Sequence, residues 1–282
     1  MRLLITGAAG MLGQDLVAAA GTGGHDCVAL TRAQLDITDP AAARAVVASA
    51  TPDAVVNCAA WSDVDGAESH EADAHAVNAV GAGNVARAAA ESGAWTIHIS
   101  SDYVFDGSKR EPYVESDATG PRSAYGRSKL GGEQAVAAAA PDAHTIIRTS
   151  WLFGAGGQCF PATILRLAGE RDQLMVVDDQ VGCPTFAGHL AEAILDITEA
   201  RTPGILHVAG AGACSWFEFA KQIVTAAGLD TDVLPCSTEE MPRAATRPAY
   251  SVLGTERPGA APPLPDWRHG LDQYLALRAP AR

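Results

Sequence analysis

Three residues of this sequence have the types and the order that acid–base chemistry at a carbonyl group requires. Tyr125 precedes Lys129 by four residues, and an apolar segment upstream ends at Ser101. On a helix, a spacing of four puts both side chains on the same face, where a lysine ammonium ion favours ionisation of a nearby phenol. That brings a phenol with an ordinary pKa of about 10 toward acid–base work near neutral pH, while a serine hydroxyl can bind a carbonyl oxygen.

A glycine-rich turn lies near the start of the chain, directly after the apolar residues 3–6. Glycines at this spacing let the backbone approach a pyrophosphate, and a following helix offers free N–H groups and the positive end of its dipole. The turn therefore predicts a dinucleotide site. Its expected contacts are Gly7, Gly10, Met11, Leu12 and Gly13.

The residues after the second predicted strand bear on the choice of nicotinamide. An acidic residue that would accept the adenosine ribose hydroxyls is absent there, and Arg32 follows instead. Arg32 could pair with a 2′-phosphate, which favours NADPH, although NADH stays possible and Arg32 could be merely exposed. Further contacts to the cofactor are expected from Asp36, Ile37, Ala59 and Ala60, and from Tyr125 and Lys129.

Elements that could position these residues alternate along the first 150 residues. Strands are predicted over 3–6, 27–30, 54–57, 96–100 and 144–148, and helices over 13–20, 40–50, about 68–92, and 125–139. Strands that are apolar throughout and alternate with helices predict an α/β fold with a parallel, doubly wound (Rossmann) sheet. We expect a dinucleotide-binding domain over 1–150. We expect 151–282 to form mainly a smaller C-terminal α/β substrate-binding lobe, with about 185–210 returning to the first domain.

Composition limits the classes of partner. The formal net charge of −13 argues against sequence-independent nucleic-acid binding, and no apolar run reaches the ~20 residues that span a bilayer. The N-terminus does not read as a signal peptide, so a cytoplasmic location is expected. His70 and His75 are five residues apart, a spacing that does not suit two metal ligands on one helix, and no metal is expected.

Taken together, these motifs resemble the extended short-chain dehydrogenase/reductases, and within them the dTDP-4-dehydrorhamnose reductase family, almost from end to end. The Val-Asp-x-Ala-Glu and Asp-Gln-x-Gly-x-Pro-Thr segments are more specific than the shared dehydrogenase motifs. The matching segments are 7–13, 56–60, 64–68, 99–107, 125–129, 148–151, 179–185 and 247–248.

The resemblance implies an NAD(P)H-dependent oxidoreductase acting on CH–OH, in dTDP-rhamnose biosynthesis. Hydride would pass to the C4 ketone of dTDP-4-dehydro-L-rhamnose, a nucleotide sugar, while Tyr125 protonates the developing alkoxide. Lys129 would lower the pKa of Tyr125, and Ser101 would bind the oxygen. Substrate contacts are expected from Val64, Ser101, Asp102, Trp151 and Arg247, with Arg247 on the diphosphate. The alternative roles are core packing for Val64, a backbone cap for Asp102, packing between the lobes for Trp151 and a surface ion pair for Arg247.

Two departures from the family pattern concern the catalytic hydroxyl and a metal. The family often has threonine where this chain has Ser101, but the hydroxyl is kept. Some members dimerise around magnesium held by acidic residues. Asp15 could match one such ligand, whereas Gly188 stands where another acid is wanted. A monomer or a homodimer is expected, and a metal-bridged dimer is not favoured.

Other functions stay open at this point. A 4-ketoreductase for another nucleotide-activated deoxysugar, such as a dihydrostreptose-type donor, would use the same chemistry. A dehydratase is less consistent, because Ser101 is followed by Asp102-Tyr103 rather than by an Asp-Glu pair. A non-catalytic regulatory subunit, like the beta subunit of methionine adenosyltransferase, resembles this family throughout. The complete set of Ser101, Tyr125 and Lys129 favours catalysis.

Overall fold

The structure is a computed structural model that describes residues 1–278. The strands are β1 (Arg2–Thr6), β2 (Asp26–Leu30), β3 (Ala54–Asn57), β4 (Trp95–Ser101), β5 (His144–Thr149), β6 (Leu152–Phe153), β7 (Gln173–Val177), β8 (Val181–Gly182), β9 (Thr185–Phe186), β10 (Gly204–His207), β11 (Cys214–Ser215) and β12 (Asp232–Cys236). The helices are α1 (Met11–Thr22), α2 (Pro40–Ala50), α3 (Gly66–Ser69), α4 (Glu71–His75), α5 (Ala82–Glu91), α6 (Ala124–Ala139), α7 (Phe160–Ala168), α8 (Ala187–Ala200), α9 (Trp216–Ala226) and α10 (Trp267–Arg278). None of these helices is long and apolar enough to cross a membrane.

Six strands form one parallel sheet, in the order β10-β5-β4-β3-β1-β2. In β1, Leu3 lies opposite Cys27 of one neighbour and Ala54 of the other. Leu3, Leu4 and Ile5 are fully buried, because the sheet is covered on both faces. The predicted α/β fold with a doubly wound parallel sheet is confirmed.

Helices pack on both faces of this sheet. On one face α1 and α8 pack together, and Leu16 and Ile194 join the side chains of Leu3 and Ile5 in one buried cluster. On the other face α2 and α5 pack together around Leu4. Burying each of these Leu or Ile side chains stabilises the fold by roughly 1.5–3 kcal/mol. The two layers hold the strand ends rigidly.

The strand order reverses at β1, which has β2 on one side and β3 on the other. In open parallel sheets a ligand crevice forms outside the carboxyl ends of the strands at such a point. The glycine-rich turn follows the end of β1, the residues Cys58–Ala60 follow β3, and Ser101 ends β4. The topology thus brings three separate sequence motifs to one edge of the sheet.

The helix predicted over about 68–92 is not continuous. The structure has α3, a break, α4 and then a π-helical segment over Ala76–Gly81 before α5. In this segment the Asn78 amide donates to the Trp61 carbonyl at 3.0 Å and to the Ser128 hydroxyl at 2.8 Å. The wider turn thus ties the loop after β3 to α6. A uniform helical period in the sequence does not predict it.

A second buried cluster lies in the C-terminal part of the chain. It is built from α7, α9 and α10 and contains Phe153, Phe219 and Trp267. Strand β12 pairs in parallel with β7, whose Leu174 and Val176 belong to this cluster. Helix α10, which was not predicted, follows it. Its buried positions recur every three or four residues, which is the pattern that could have predicted it.

Candidate active site

The glycine-rich turn leaves no room for side chains where the backbone must approach a ligand. Gly7 has φ +67°, a left-handed conformation, and a Cβ on it would stand 2.6 Å from the Ala59 nitrogen. A Cβ on Gly13 would overlap the Gly7 carbonyl oxygen. Gly10 is the N-cap of α1 and provides no side-chain cap, so N–H groups at the helix N-terminus stay available. This geometry fits a dinucleotide pyrophosphate.

A first cavity, of about 230 Å³, opens beside this turn. Five residues predicted as cofactor contacts line it, namely Arg32, Asp36, Ile37, Ala59 and Ala60. Arg32 makes no ion pair with any other residue of 1–278, so its guanidinium is available to a phosphate.

Two residues of this cavity differ from what the sequence suggested. The Asp36 carboxylate accepts hydrogen bonds from the Thr38 nitrogen at 3.0 Å and the Thr38 hydroxyl at 2.7 Å. These bonds lower the pKa of Asp36 and orient its carboxylate toward its own turn. Trp61 also lines the cavity and was not singled out from the sequence. Its position directly after Ala60 was the available signal.

A second cavity, of about 430 Å³, continues from the first, because Gly10, Cys58 and Ala60 line both. Its wall gathers residues from segments far apart in the chain. Besides Gly10 and Ala60, those predicted from the sequence are Met11, Leu12, Gly13, Val64, Ser101, Asp102, Tyr125, Lys129 and Trp151. The structure thus brings the three predicted catalytic residues and three of the predicted sugar-side residues into one cleft.

Ser101 is held by its neighbours at the end of β4. Its hydroxyl donates to Asp102 Oδ1 at 2.9 Å and accepts from the Tyr103 nitrogen at 3.2 Å. Asp102 is buried, and its other carboxylate oxygen accepts from the Ser150 hydroxyl at 3.2 Å. Burial raises the pKa of Asp102 to about 6, and hydrogen bonds from serine hydroxyls oppose that rise. Asp102 therefore orients the Ser101 hydroxyl as well as lining the cavity.

Tyr125 lies in the first turn of α6, which Ser123 caps by accepting a hydrogen bond from the Gly126 nitrogen at 3.1 Å. The Tyr103 ring stands edge-on to it, with ring centroids 5.6 Å apart. Burial raises the pKa of Tyr125 to about 12, the neighbouring Ser101 hydroxyl lowers it, and the Asp102 charge raises it. A raised pKa keeps the Tyr125 phenol protonated at neutral pH, as a proton donor requires.

Lys129 lies one turn after Tyr125 on α6 and is 3% exposed. Its ammonium group donates to the Ile99 carbonyl at 2.6 Å. Burial lowers the pKa of Lys129 to about 8, while the charge of Glu133 raises it. The groups that act on the Tyr125 pKa here are Ser101 and Asp102, whereas Lys129 contributes a positive charge at the floor of the cavity.

An aromatic pair forms one wall of the cavity. Trp151 has a left-handed backbone, with φ 46°, and stacks on Trp216. Phe160 packs against the other side of this pair, with ring centroids 4.5 Å from Trp216. Trp216 is the first residue of α9, which Ser215 and Glu218 fix through a capping box. Sequence reasoning did not single out Trp216, because no local motif distinguishes it from a core tryptophan.

Arg247 lies outside this arrangement. Its guanidinium donates to both carboxylate oxygens of Asp65, at 3.0 and 2.9 Å, and it is not among the residues that line the cavity. Asp65 directly follows Val64, which lines the cavity. The predicted contact of Arg247 with a substrate diphosphate would have to compete with this bidentate pair, which already satisfies the guanidinium fork.

Asp15, the residue with a counterpart among magnesium ligands, lies on α1. One of its carboxylate oxygens is buried without a hydrogen-bond partner, and burial raises its pKa. Across residues 1–278 no three side chains of His, Cys, Asp or Glu are grouped so as to hold a metal ion.

Known proteins match the chain over nearly its full length. The family model described as the RmlD substrate binding domain matches residues 1–279. A dTDP-4-dehydrorhamnose reductase of Mycolicibacterium smegmatis is 48% identical over 281 residues, which are 98% of this chain and 85% of that protein. A dTDP-4-keto-6-deoxy-D-glucose reductase of Streptomyces niveus is 41% identical over 98% of this chain and 97% of its own.

The fold also matches a solved structure. The crystal structure of a dTDP-4-dehydrorhamnose reductase from Bacillus anthracis, in complex with NADP, superposes with a TM-score of 0.95. It is 39% identical and covers 98% of this chain and 99% of its own. With this match and the family model in agreement from end to end, the chain belongs to the dTDP-4-dehydrorhamnose reductase family.

Proposed function

We propose that this chain reduces the C4 ketone of dTDP-4-dehydro-L-rhamnose, giving dTDP-L-rhamnose, with NADPH as the preferred cofactor. The observation that carries the proposal is the continuous cleft in which the glycine-rich turn, Ser101, Tyr125 and Lys129 meet. The relatives that are named as reductases of this sugar nucleotide, one of them solved with NADP, support it.

The cofactor would be held by groups that lie along the first cavity. The turn over 7–13 would hold the pyrophosphate, and Arg32 would pair with the 2′-phosphate that distinguishes NADPH from NADH. When it is bound, NADPH supplies the hydride. The small side chains of Ala59 and Ala60, together with Lys129, would then lie beside it.

The side chains of the second cavity would carry the proton chemistry. Ser101 would turn its hydroxyl proton from Asp102 to the C4 oxygen, and Tyr125 would transfer its phenolic proton to that oxygen as negative charge develops. The ammonium group of Lys129 would bond the nicotinamide ribose and keep a positive charge at the floor of the cavity. Val64, Asp102 and Trp151 would shape the sugar site. Arg247 would contact the substrate diphosphate in competition with Asp65, which pairs with its guanidinium at 2.9 Å.

We also propose a division of labour along the chain. Residues 1–150 would bind the dinucleotide, and 151–282 would mainly bind the substrate, with about 185–210 belonging to the first domain. Two contacts support this division: α8 packs against α1, and β10 extends the large sheet beside β5. Trp151 and Trp216 come from the second part of the chain and line the second cavity.

The function is tested by following NADPH absorbance with the purified protein and dTDP-4-dehydro-L-rhamnose generated in situ. Rapid oxidation of NADPH, with slower oxidation of NADH, is expected. A protein that binds both nicotinamides and oxidises neither would contradict the proposal.

A second candidate is a 4-ketoreductase for another dTDP-deoxysugar. The relative from Streptomyces niveus, named for dTDP-4-keto-6-deoxy-D-glucose, matches over as much of the chain as the rhamnose enzymes do. The same assay with that sugar nucleotide distinguishes the two candidates through the ratio of their kcat/KM values.

A further inference from the structure

A buried ion pair lies directly behind the cleft. Arg148 Nε and Nη2 donate to the two carboxylate oxygens of Glu133, at 2.8 and 2.7 Å. The two side chains are only 3% and 5% exposed. Desolvating two charges is costly, and apolar residues of similar volume often stabilise a fold as well or better. Stability alone therefore does not account for placing charges here.

Glu133 has a third partner, at the end of β4. The Ser100 hydroxyl donates to Glu133 Oε1, and Ser100 is buried and lines the catalytic cavity. The next residue is Ser101, which is proposed to bind the ketone oxygen. The Glu133 carboxylate thus ties three elements together, since it lies on α6 and its partners lie on β4 and β5.

Glu133 also follows Lys129 by one turn on the same face of α6. Lys129 has no ion-pair partner within 4.0 Å among residues 1–278. Its ammonium group reaches only a neutral acceptor, the Ile99 carbonyl. A buried ammonium ion without a countercharge tends to lose its proton.

The other titratable groups that face Lys129 are neutral near pH 7. Cys58, after β3, and Tyr125, on α6, are protonated because burial raises the pKa of each to about 12. His98, on β4, is neutral because burial and the Lys129 charge lower its pKa. Within residues 1–278, Glu133 is therefore the carboxylate that opposes the effect of burial on Lys129.

We propose that Glu133 is a positioning residue for the reaction: fixed by Arg148 and Ser100, it keeps Lys129 an ammonium ion and sets the end of β4 that carries Ser101. This role rests on the proposed function. Glu133 itself lines neither of the two cavities, so it acts through Lys129 and Ser100.

The charge state of Lys129 can be measured without any activity. The chain has only three lysines, Lys109, Lys129 and Lys221, so protein labelled with ¹³C at the lysine ε-carbon gives three signals to titrate. In Glu133→Gln, the Lys129 midpoint is expected to fall by about one pH unit, while Lys109 and Lys221 stay unchanged. An unchanged Lys129 midpoint in the folded variant would overturn the proposal.

Two further variants separate charge from packing. Glu71→Gln removes a carboxylate at the surface. Glu71 pairs at 2.7 Å with Arg127, which lies on α6 like Glu133, and its loss should leave the Lys129 midpoint unchanged. The double variant Glu133→Gln/Arg148→Met removes both buried charges. It provides a folded protein for the titration if Glu133→Gln unfolds because Arg148 is left without its partner. Its Lys129 midpoint should stay below that of the wild type. A return to the wild-type value would assign the shift to the unpaired arginine and contradict the proposal.

Kinetics give the second measurement. The alkaline limb of the kcat profile should move to lower pH in Glu133→Gln. Between pH 7 and pH 8, the ratio of variant kcat to wild-type kcat should therefore fall about threefold. Wild-type protein that fails to reduce the sugar nucleotide would sink the proposed function, while the lysine titration would still test Glu133. Equal alkaline limbs in active wild type and variant would count against Glu133 alone.

Discussion

Trp151 lies flat against Trp216, with ring centroids 3.5 Å apart and an angle of 5° between the ring planes. The left-handed backbone of Trp151 costs of order 1–3 kcal/mol, so the surrounding packing must hold it in place. Gly182 packs against the same indole, where a Cβ would overlap the ring. The wall of the sugar site is therefore rigid, and its shape depends on a residue with no side chain.

Gly182→Ala should displace Trp151 and lower kcat/KM for the sugar nucleotide by about 10–100-fold, because small misplacements in a binding site cost that much. The near-ultraviolet circular dichroism of the stacked tryptophans should change with it. Gly21→Ala is the matched control, since a Cβ there meets nothing within 4 Å. That variant should keep full activity, and wild-type kcat/KM in Gly182→Ala would show that the stack does not shape the site.

Tyr125→Phe should lower kcat by orders of magnitude while NADPH affinity barely changes, because only the proton donor is lost. Tyr103→Phe removes a hydroxyl from the same cavity and is the control, with a much smaller loss expected. Stopped-flow absorbance of NADPH measures the chemical step in each variant. If Tyr125→Phe turned over at the wild-type rate, another group would be the donor.

Arg32→Ala should raise the KM for NADPH by about 10–100-fold, since a charge-assisted hydrogen bond contributes about 1.5–3 kcal/mol. The KM for NADH should hardly change, which makes NADH the internal control. Arg44→Ala removes another exposed arginine, which pairs with Glu91 at a distance from the cavities, and should affect neither cofactor. Equal losses with NADPH and NADH would place the 2′-phosphate elsewhere.

Asp102→Asn should stabilise the folded protein at pH 7.5 and lower its activity. The pKa of Asp102 is raised to about 6 from 3.8, so the folded state binds this proton more tightly than the unfolded state does. The protonated Asp102 stabilises the folded state fully below pH 3.8, and this stabilisation is lost as the pH rises through 6. The loss in the free energy of unfolding amounts to roughly 3 kcal/mol. The asparagine has no such dependence.

The gain in stability of Asp102→Asn over wild type should thus be small near pH 4.5 and largest above pH 7. Urea unfolding at both pH values measures it, and a difference that does not vary with pH would mean that Asp102 is not a buried charge. Activity should fall because Ser101 loses its charged acceptor. Ser150→Ala, which removes a weaker partner of the same carboxylate at 3.2 Å, should have a smaller effect.

Much of the fold and part of the candidate site follow from local sequence patterns. A strand buried on both faces must be apolar throughout. The glycines of 7–13 indicate a turn in which side chains would block the approach of a ligand to the backbone. Each such signal lies within a few residues, and the strand order then brings Ser101, Tyr125 and Lys129 to one edge of the sheet. The helical spacing of Tyr125 and Lys129 is likewise a local property.

Only the tertiary structure decided which distant residues meet. Arg247 pairs with Asp65 across 182 positions, Trp216 stacks on Trp151, and Glu133 is shared by Arg148 and Ser100. A charged or aromatic residue looks the same in the sequence whether it faces a ligand, a partner or the core. Its role depends on burial and on neighbours that the packing of separate elements supplies, and no local period or spacing encodes those.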